Sequence, residues 1–203
     1  MKNLKFILSL LLLNSLNIHS AKADDLASSL YLRTQVESLT NLGDNGGSTV
    51  SIGGFSLIYF YPLTEKLFAG FGYHASFGSS GSAVAIHGMS VQGKYYFYGL
   101  GTIQKKSNQL GANEYRSTQS YYAMSSYTDQ SYFLGKDTSA ADENTYIQGK
   151  YANVNIGAGA DWATSNRFGY NAELGMSLLS MSATSDKYRI RHMYVYGGIS
   201  YFF

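Results

Sequence analysis

The last eleven residues of the chain alternate between an apolar series and a mixed series. They read MYVYGGISYFF and cover positions 193–203. A period of two is typical of a β-strand, whose successive side chains point to opposite faces, and not of a helix. A terminal segment usually frays unless a neighbour holds it, so we expect this strand to be paired. The apolar series is Met193, Val195, Gly197, Ile199, Tyr201 and Phe203, and the other is Tyr194, Tyr196, Gly198, Ser200 and Phe202.

The same period recurs along the chain and predicts about eight strands. Both faces of the segment 50–61 carry apolar residues, which leaves its register open, and the segment 99–106 has the poorest pattern. Short turns are predicted at 62–66 and 163–167, and the glycine- and asparagine-rich stretch 41–48 is predicted to be a loop. The predicted strands are 26–38, 50–61, 67–77, 84–98, 99–106, 151–162, 168–178 and 187–203.

The segment 107–145 interrupts this regularity. It is polar, rich in serine and threonine, and shows no sustained apolar alternation. We therefore predict a long loop there, which could carry a hairpin of its own around 115–134. Tyrosine and serine together suit adaptable contact surfaces, and a merely solvated loop is the alternative. The candidate contact residues are Tyr115, Tyr121, Tyr122, Tyr127 and Tyr132.

The first 23 residues have the features of a secretory signal peptide. Lys2 and Lys5 precede a short apolar run, and Ala21-Lys22-Ala23 fits the small-x-small cleavage pattern. The run is shorter than the ~20 residues that a membrane-spanning helix requires. The mature domain would then be residues 24–203. Without Lys2, Lys5 and Lys22, the 15 basic residues become 12 against 13 acidic ones, so no nucleic-acid partner is expected.

The polar faces of the predicted strands distinguish a membrane barrel from a soluble sandwich. They carry Gly, Asn, Ser and Tyr, with few lysines or glutamates, and charged residues make up only 14% of the chain. This content suits a tight barrel interior, with the apolar faces turned to lipid. The expected fold is all-β: a closed, antiparallel, up-and-down transmembrane β-barrel of about eight strands, closed by pairing of the last strand with the first.

An eight-stranded barrel has an interior that side chains just fill. We expect Arg33, Glu37, Lys94 and Glu173 to form a paired polar network there instead of an ion path. The prediction is a structural or surface-interaction role and not an enzyme. A narrow channel for small solutes remains an alternative.

The signal, the amphipathic strands and the final Tyr-Phe-Phe resemble the small OmpA/OmpX-type outer-membrane barrels of Gram-negative bacteria. The resemblance implies export to the outer membrane, contact with its lipids, and an assembly signal at Tyr201 and Phe203 that the barrel-assembly machinery reads. Some eight-stranded barrels modify lipid A, and His74-x-Ser76 resembles the His-x-Ser motif of the deacylases. However, no acid lies near it in sequence, and His74 shares the lumenal parity. A lipid A-modifying enzyme is therefore the second alternative.

Three basic residues before the last apolar series are candidate contacts for lipopolysaccharide. Arg191 precedes Phe203 by twelve residues. At ~3.3 Å per residue and a tilt near ~40°, it would lie roughly 30 Å along the membrane normal, above an apolar band ~25 Å tall. Arginine binds phosphate bidentately, whereas ordinary rim charges are the alternative. The candidates are Lys187, Arg189 and Arg191.

Other kinds of site receive no support from the composition. The chain has no cysteine, and His74, His87 and His192 lack the spacing of metal ligands. We therefore expect no metal and no cofactor, and a monomer.

Overall fold

The computed structural model describes residues 26–41, 49–79, 83–108, 111–134, 147–182 and 190–203. The predicted signal peptide, residues 1–23, lies outside these ranges. All regular elements described are strands, ten in number. No helix among these residues is long and apolar enough to cross a membrane. The strands are β1 (Ser29–Asn41), β2 (Thr49–Pro62), β3 (Leu67–Ser79), β4 (Ala83–Tyr98), β5 (Gln104–Asn108), β6 (Gly111–Tyr115), β7 (Gln119–Leu134), β8 (Ile147–Ala163), β9 (Phe168–Ser182) and β10 (Ile190–Phe202).

Eight of these strands form one closed barrel, and β5 and β6 form a separate hairpin. The order around the barrel is β1-β10-β9-β8-β7-β4-β3-β2, and every neighbouring pair is antiparallel. The last strand pairs with the first along its whole length, from Ser29↔Phe202 to Asn41↔Ile190. The predicted fold class and the pairing of the closing strand are therefore confirmed.

The alternation along each strand separates the inside of the barrel from the outside. On β1, Tyr31, Arg33 and Glu37 are buried, whereas Leu32 and Val36 are about half exposed or more. The faces predicted for the first strand are therefore those observed. Residues on the outward series are apolar in most strands, and the inward series is polar and aromatic.

The predicted loop 107–145 is wrong for its central part. Residues Gln119–Leu134 form β7, a full barrel strand between β4 and β8. The pattern misses this strand because its outward face carries Ala123, Ser125, Asp129 and Ser131 in place of large apolar residues. The predicted barrel strand over 99–106 is also wrong. Its last residues, 104–106, belong to β5, which pairs with β6 in a separate hairpin and not with a strand of the barrel.

The five tyrosines assigned to the loop are consequently distributed over different environments. Tyr122 and Tyr132 are buried inside the barrel, and Tyr121 and Tyr127 are on its outside. Tyr115 ends β6, beside the barrel end at which β1 begins. Their prediction as a common external contact surface is therefore wrong.

The chain enters β1 and leaves β10 at the same end, here called the terminal end. Residues 99–118, here called the strap, connect β4 to β7 at that end and include the hairpin β5–β6. The strap is longer than the connections 63–66 and 164–167 beside it. The terminal end therefore carries one long connection beside two short turns.

Inward glycines make room for the tyrosine rings of the interior. A Cβ atom added at Gly159 would lie 2.5 Å from the Tyr122 Cζ and 2.6 Å from the carbonyl oxygen of Ala172. We predict that Gly159→Ala lowers the free energy of unfolding by about 1–3 kcal/mol, the usual cost of overpacking. Gly53→Ala is the matched control, because its Cβ would meet only the Gln35 carbonyl oxygen, at 3.9 Å. Urea titration of both variants tests this, and equal stabilities would contradict it.

Candidate functional site in the barrel interior

A buried ion pair crosses the half of the interior nearer the terminal end. Arg33 Nη1 lies 3.2 Å from Glu173 Oε2, and neither side chain is exposed to solvent. The Tyr122 hydroxyl donates a hydrogen bond of 2.9 Å to the same carboxylate oxygen. Arg33 and Glu173 come from β1 and β9, which flank the closing strand β10. Two of the four predicted interior residues therefore form a direct pair.

Lys94 occupies a cage of aromatic rings beside this pair. Its Nζ lies 3.9 Å from the ring centroids of both Tyr31 and Tyr122, and 4.4 Å from that of Phe60. Such contacts attract a cation to the negative faces of the rings, most strongly where water is excluded. Lys94 is buried in the interior, and its partners are mainly aromatic.

Asp161 on β8 is an interior acid that the sequence analysis did not single out. Its Oδ2 accepts a hydrogen bond of 2.9 Å from the Tyr31 hydroxyl and a second from the Tyr96 hydroxyl. The signal was available, because Asp161 lies on the inward series of its strand. Its tyrosine partners lie 65 and 130 positions away, and sequence alone does not bring them together.

Glu37 belongs to a second polar group, nearer the opposite end. Its Oε2 lies 2.9 Å from His192 Nε2, and its Oε1 accepts a hydrogen bond of 2.8 Å from the Ser76 hydroxyl. Gln35 donates to both Glu37 and Ser76. The predicted network of four charged residues is therefore divided, with Glu37 bonded to a histidine and not to Arg33 or Lys94.

The residues His74 and Ser76 do not form an activated nucleophile in this arrangement. The Ser76 hydroxyl donates to Glu37, while the His74 ring is hydrogen-bonded to the Gln130 side chain. Nucleophilic catalysis by serine requires a base bonded to the hydroxyl. Both side chains also face the interior and are buried. Among the described residues, no group of three or more metal-ligating side chains could hold a metal ion.

Two clusters of buried hydrophobic residues lie in the interior, one toward each end of the barrel. The cluster at the opposite end is small and comprises Ile52, Ile86, Tyr132 and Tyr151, with Leu39 packed against it. The larger cluster fills the terminal end and consists of Ala27, Tyr31, Ile58, Phe60, Phe68, Tyr96, Ile103, Tyr122, Met124 and Phe202. Tyr31, Phe60 and Tyr122 of the larger cluster also surround Lys94, so part of the polar network is embedded in that cluster.

A small polar cavity lies in the barrel interior. The space open to the centre of a water-sized sphere is about 10 Å³. Its walls are mainly hydroxyl, amide and imidazole groups, with Ile58, Met124 and Tyr196 adding larger surfaces. The polar lining residues are Ser56, His74, Ser90, Gln92, Ser126, Thr128, Gln130 and His192.

The strap covers the terminal mouth of the barrel. The Thr102 hydroxyl accepts a hydrogen bond of 2.9 Å from the Ala27 amide and donates one of 2.8 Å to the Ala27 carbonyl. Ile103 beside it is buried in the terminal apolar cluster. The strap thus holds the entry to β1 against the filled end of the barrel.

The second half of the strap contacts the closing strand and the β8–β9 turn. The Arg116 guanidinium lies 3.7 Å from the Phe202 ring centroid and donates to the carbonyls of Ser165 and Phe168. Burial lowers the pKa of Arg116 from its ordinary value. Glu114 forms an ion pair of 3.0 Å with Arg167. The first half of the strap therefore contacts the start of β1. The second half contacts the end of β10 and the turn between β8 and β9.

Comparisons with known proteins identify the architecture. No protein-family profile and no curated protein sequence matches the chain. Among solved structures, Neisserial surface protein A (NspA) is 10% identical with a TM-score of 0.57, over 86% of this chain and 97% of that one. The attachment invasion locus protein Ail of Yersinia pestis is 13% identical with a TM-score of 0.55, over 88% and 99%. The outer membrane protein OprG of Pseudomonas aeruginosa is 12% identical with a TM-score of 0.54, over 88% and 96%.

The chain has the fold of the small eight-stranded outer-membrane barrels of the OmpA/OmpX type. At these identities the similarity concerns the fold alone. The resemblance predicted from the sequence is therefore confirmed for the fold. The role of each residue depends on this chain's own geometry.

The last strand of the barrel presents part of its aromatic end to the outside. Phe203 is half exposed, and its ring lies 6.3 Å from that of Tyr59 on β2. Tyr201 packs at 5.0 Å against Phe168 on β9. The role of Tyr201 and Phe203 as an assembly signal stays a prediction.

Of the three candidate lipopolysaccharide contacts, Arg191 is among the described residues. Lys187 and Arg189 lie outside the described residues. Arg191 is on β10, paired with Thr40 of β1 near the end of both strands. Its height relative to the membrane and its contact with lipid stay predictions.

Proposed function

We propose that the chain is an integral outer-membrane protein with a closed interior and a structural or surface-interaction role. The observation that carries this proposal is the inversion of the usual burial pattern. Charged groups such as Arg33, Lys94 and Glu173 are inside, whereas Leu174, Val91 and Val195 are more than 60% exposed on the outside. A soluble barrel would lose the hydrophobic contribution of these exposed side chains, whereas lipid covers them.

The aromatic side chains near the terminal end support the same location. Phe71 on β3, Phe168 on β9, and Tyr201 and Phe203 at the end of the last strand are exposed on the outside. Trp162, the single tryptophan, is also exposed there. Aromatic residues form girdles where transmembrane barrels meet the membrane surface, and this end would face the periplasm if export follows the expected signal.

We expect the protein to be heat-modifiable and to fractionate with outer membranes. A closed barrel pairs its backbone polar groups within the wall, because lipid offers them no partners, and it should therefore resist detergent until it is heated. Gel migration of outer-membrane fractions with and without boiling measures this. Recovery of the protein in the soluble periplasm would contradict the proposed location.

The proposed interior is closed to solutes. The hydrophobic clusters toward the two ends of the lumen and the buried Arg33–Glu173 pair support this, because their side chains fill the lumen. Planar-bilayer recordings of the refolded protein should show no stepwise conductance. Reproducible steps would favour the narrow channel instead.

We also propose that the protein is not an enzyme. The hydrogen bonds of Ser76 and His74 support this, since neither group is bonded to the other as a nucleophile and its base would be. Mass spectrometry of lipid A from a deletion strain tests the alternative. A change in acylation that the restored gene reverses would favour a lipid A-modifying enzyme.

A surface-interaction role would depend on the connections at the opposite end. Ail has been crystallised with the heparin analogue sucrose octasulfate, so a barrel of this fold can carry a surface ligand. In this chain the segments 42–48, 80–82, 135–146 and 183–189 contain five acidic and three basic residues. Their net negative charge does not favour a polysulfated ligand, and the proposal names no ligand for them.

Lipopolysaccharide is the partner proposed for the basic residues before the closing strand. The double variant Arg189→Gln with Arg191→Gln should weaken co-purification of lipopolysaccharide, because glutamine cannot replace a charged bidentate contact with phosphate. Heat-modifiability should be retained, which serves as the folding control. Unchanged lipopolysaccharide retention in a folded variant would support ordinary rim charges.

A further inference from the structure

The strap forms a self-contained unit between two strands that pair with each other. β4 and β7 are neighbours in the barrel, and the hairpin β5–β6 lies between them along the chain. The Leu100 amide donates a hydrogen bond of 2.8 Å to the Ser117 hydroxyl, and the Ser120 hydroxyl donates one of 2.9 Å to the Leu100 carbonyl. These bonds join positions only 17 and 20 apart. The strap can therefore fold together with β4 and β7, before the barrel closes.

Gly99 fixes the direction in which the strap leaves β4. Its φ is +74°, a left-handed conformation that glycine adopts without steric cost. A Cβ atom added there would lie 2.5 Å from the Gln119 carbonyl oxygen, at the start of β7. The strap is therefore positioned by its own two strands.

The strap contacts both strands of the seam, the name used here for the pairing of β1 with β10. The Thr102 hydroxyl is bonded to the amide and the carbonyl of Ala27, just before β1 begins at Ser29. The Arg116 guanidinium lies 3.7 Å from the ring centroid of Phe202, the last residue of β10. Ser29 and Phe202 are the first pair in the register of the seam. The strap therefore binds the chain on each side of that pair.

Binding to the strap would shorten the loops that have to close. Ala27 and Thr102 are 75 positions apart, and Arg116 and Phe202 are 86 apart. Direct pairing of Ser29 with Phe202 closes a loop of 173 positions. The entropic cost of closure grows with the logarithm of the loop length, so halving the loop makes closure about threefold more probable.

We propose that the strap is an intramolecular clamp for closure of the barrel. It folds with β4 and β7, binds the start of β1 through Thr102 and the end of β10 through Arg116, and sets the first pair of the seam before the two strands pair along their length. A strap that docked only after closure would add stability without changing the rate of folding. The clamp thus differs from a passive cover of the barrel mouth.

Refolding of the full chain from urea into lipid vesicles tests the clamp, with the heat-modifiable fraction sampled over time on gels. We expect Thr102→Val with Arg116→Gln to refold at least about threefold more slowly. Its unfolding rate should change less, because contacts made before the transition state act mainly on the folding rate. Thr118→Val with Lys66→Gln is the matched control, since both side chains are exposed at the terminal end. Unchanged refolding of the first variant, or equal slowing in the control, would overturn the inference.

Two single substitutions cover the case in which the double variant does not fold. Thr102→Ser keeps the hydroxyl and should refold at the rate of the unaltered protein, whereas Thr102→Val should refold more slowly. Equal rates for these two variants would contradict the clamp. Failure of the unaltered protein to become heat-modifiable would contradict both the proposed location and the clamp, whereas equal refolding rates in a heat-modifiable protein would contradict only the clamp.

Discussion

Glu173→Gln should lower the free energy of unfolding by about 3–5 kcal/mol, the usual cost of removing one partner of a buried ion pair. The variant leaves Arg33 charged, with both side chains at zero exposure. Urea unfolding in lipid vesicles, followed through the fluorescence of Trp162, measures the change. Trp162 is suited to this because it is the single tryptophan and lies on the outside of the barrel.

Two further variants test whether the lost stability comes from breaking the buried Arg33–Glu173 pair or from removing any carboxylate. Glu114→Gln removes a carboxylate from an ion pair with Arg167 whose side chains are 28% and 39% exposed, and exposed pairs contribute ~0–1 kcal/mol. The double variant Arg33→Met with Glu173→Leu should recover most of the lost stability, since apolar residues often replace a buried pair without loss. Equal costs for Glu173→Gln and Glu114→Gln would contradict the interior pair.

Thr102→Val should be the next most damaging substitution. It leaves the amide and the carbonyl of Ala27 without the Thr102 hydroxyl, and each unpartnered buried group costs about 1–3 kcal/mol. Valine has a similar shape, so packing in the strap should change little. The amide proton of Ala27 should exchange with solvent faster, as hydrogen exchange followed by NMR would measure.

Thr118→Val is the control for the strap, because Thr118 is exposed on the same segment. Exposed substitutions away from such contacts usually stay within about 0.5 kcal/mol. If Thr102→Val behaved like Thr118→Val, the strap would be a passive connection that does not hold the barrel mouth.

The sequence predicts those strands whose outward face is apolar. β1 and β10 have that face, and their inward and outward residues are the predicted ones. The sequence pattern does not predict β7, because Ala123, Ser125 and Ser131 occupy outward positions. A small or polar outward residue removes the only periodic signal when the inward face is polar as well, so the strand looks like a loop.

The interior site was predictable as a set of residues but not as a set of contacts. Parity along each strand assigns Arg33, Glu37, Lys94 and Glu173 to the inside. Which of them meet depends on the register around the whole barrel, which no local pattern contains. The hydrogen bond between Glu37 and His192 joins positions 155 apart. Arg33 pairs with Glu173 because the register of β1 and β9 places the two side chains at the same height in the barrel.

Closure of the barrel by β1 and β10 has a consequence for the time course of folding. The pairing of Ser29 with Phe202 joins residues 173 positions apart, and contacts of such long range slow folding because loop entropy is lost before they form. The edge of the first strand stays unpaired until the last strand has been synthesised and reaches it. An unpaired strand edge invites association with other chains, so the interval before closure is when this protein would be most dependent on chaperones.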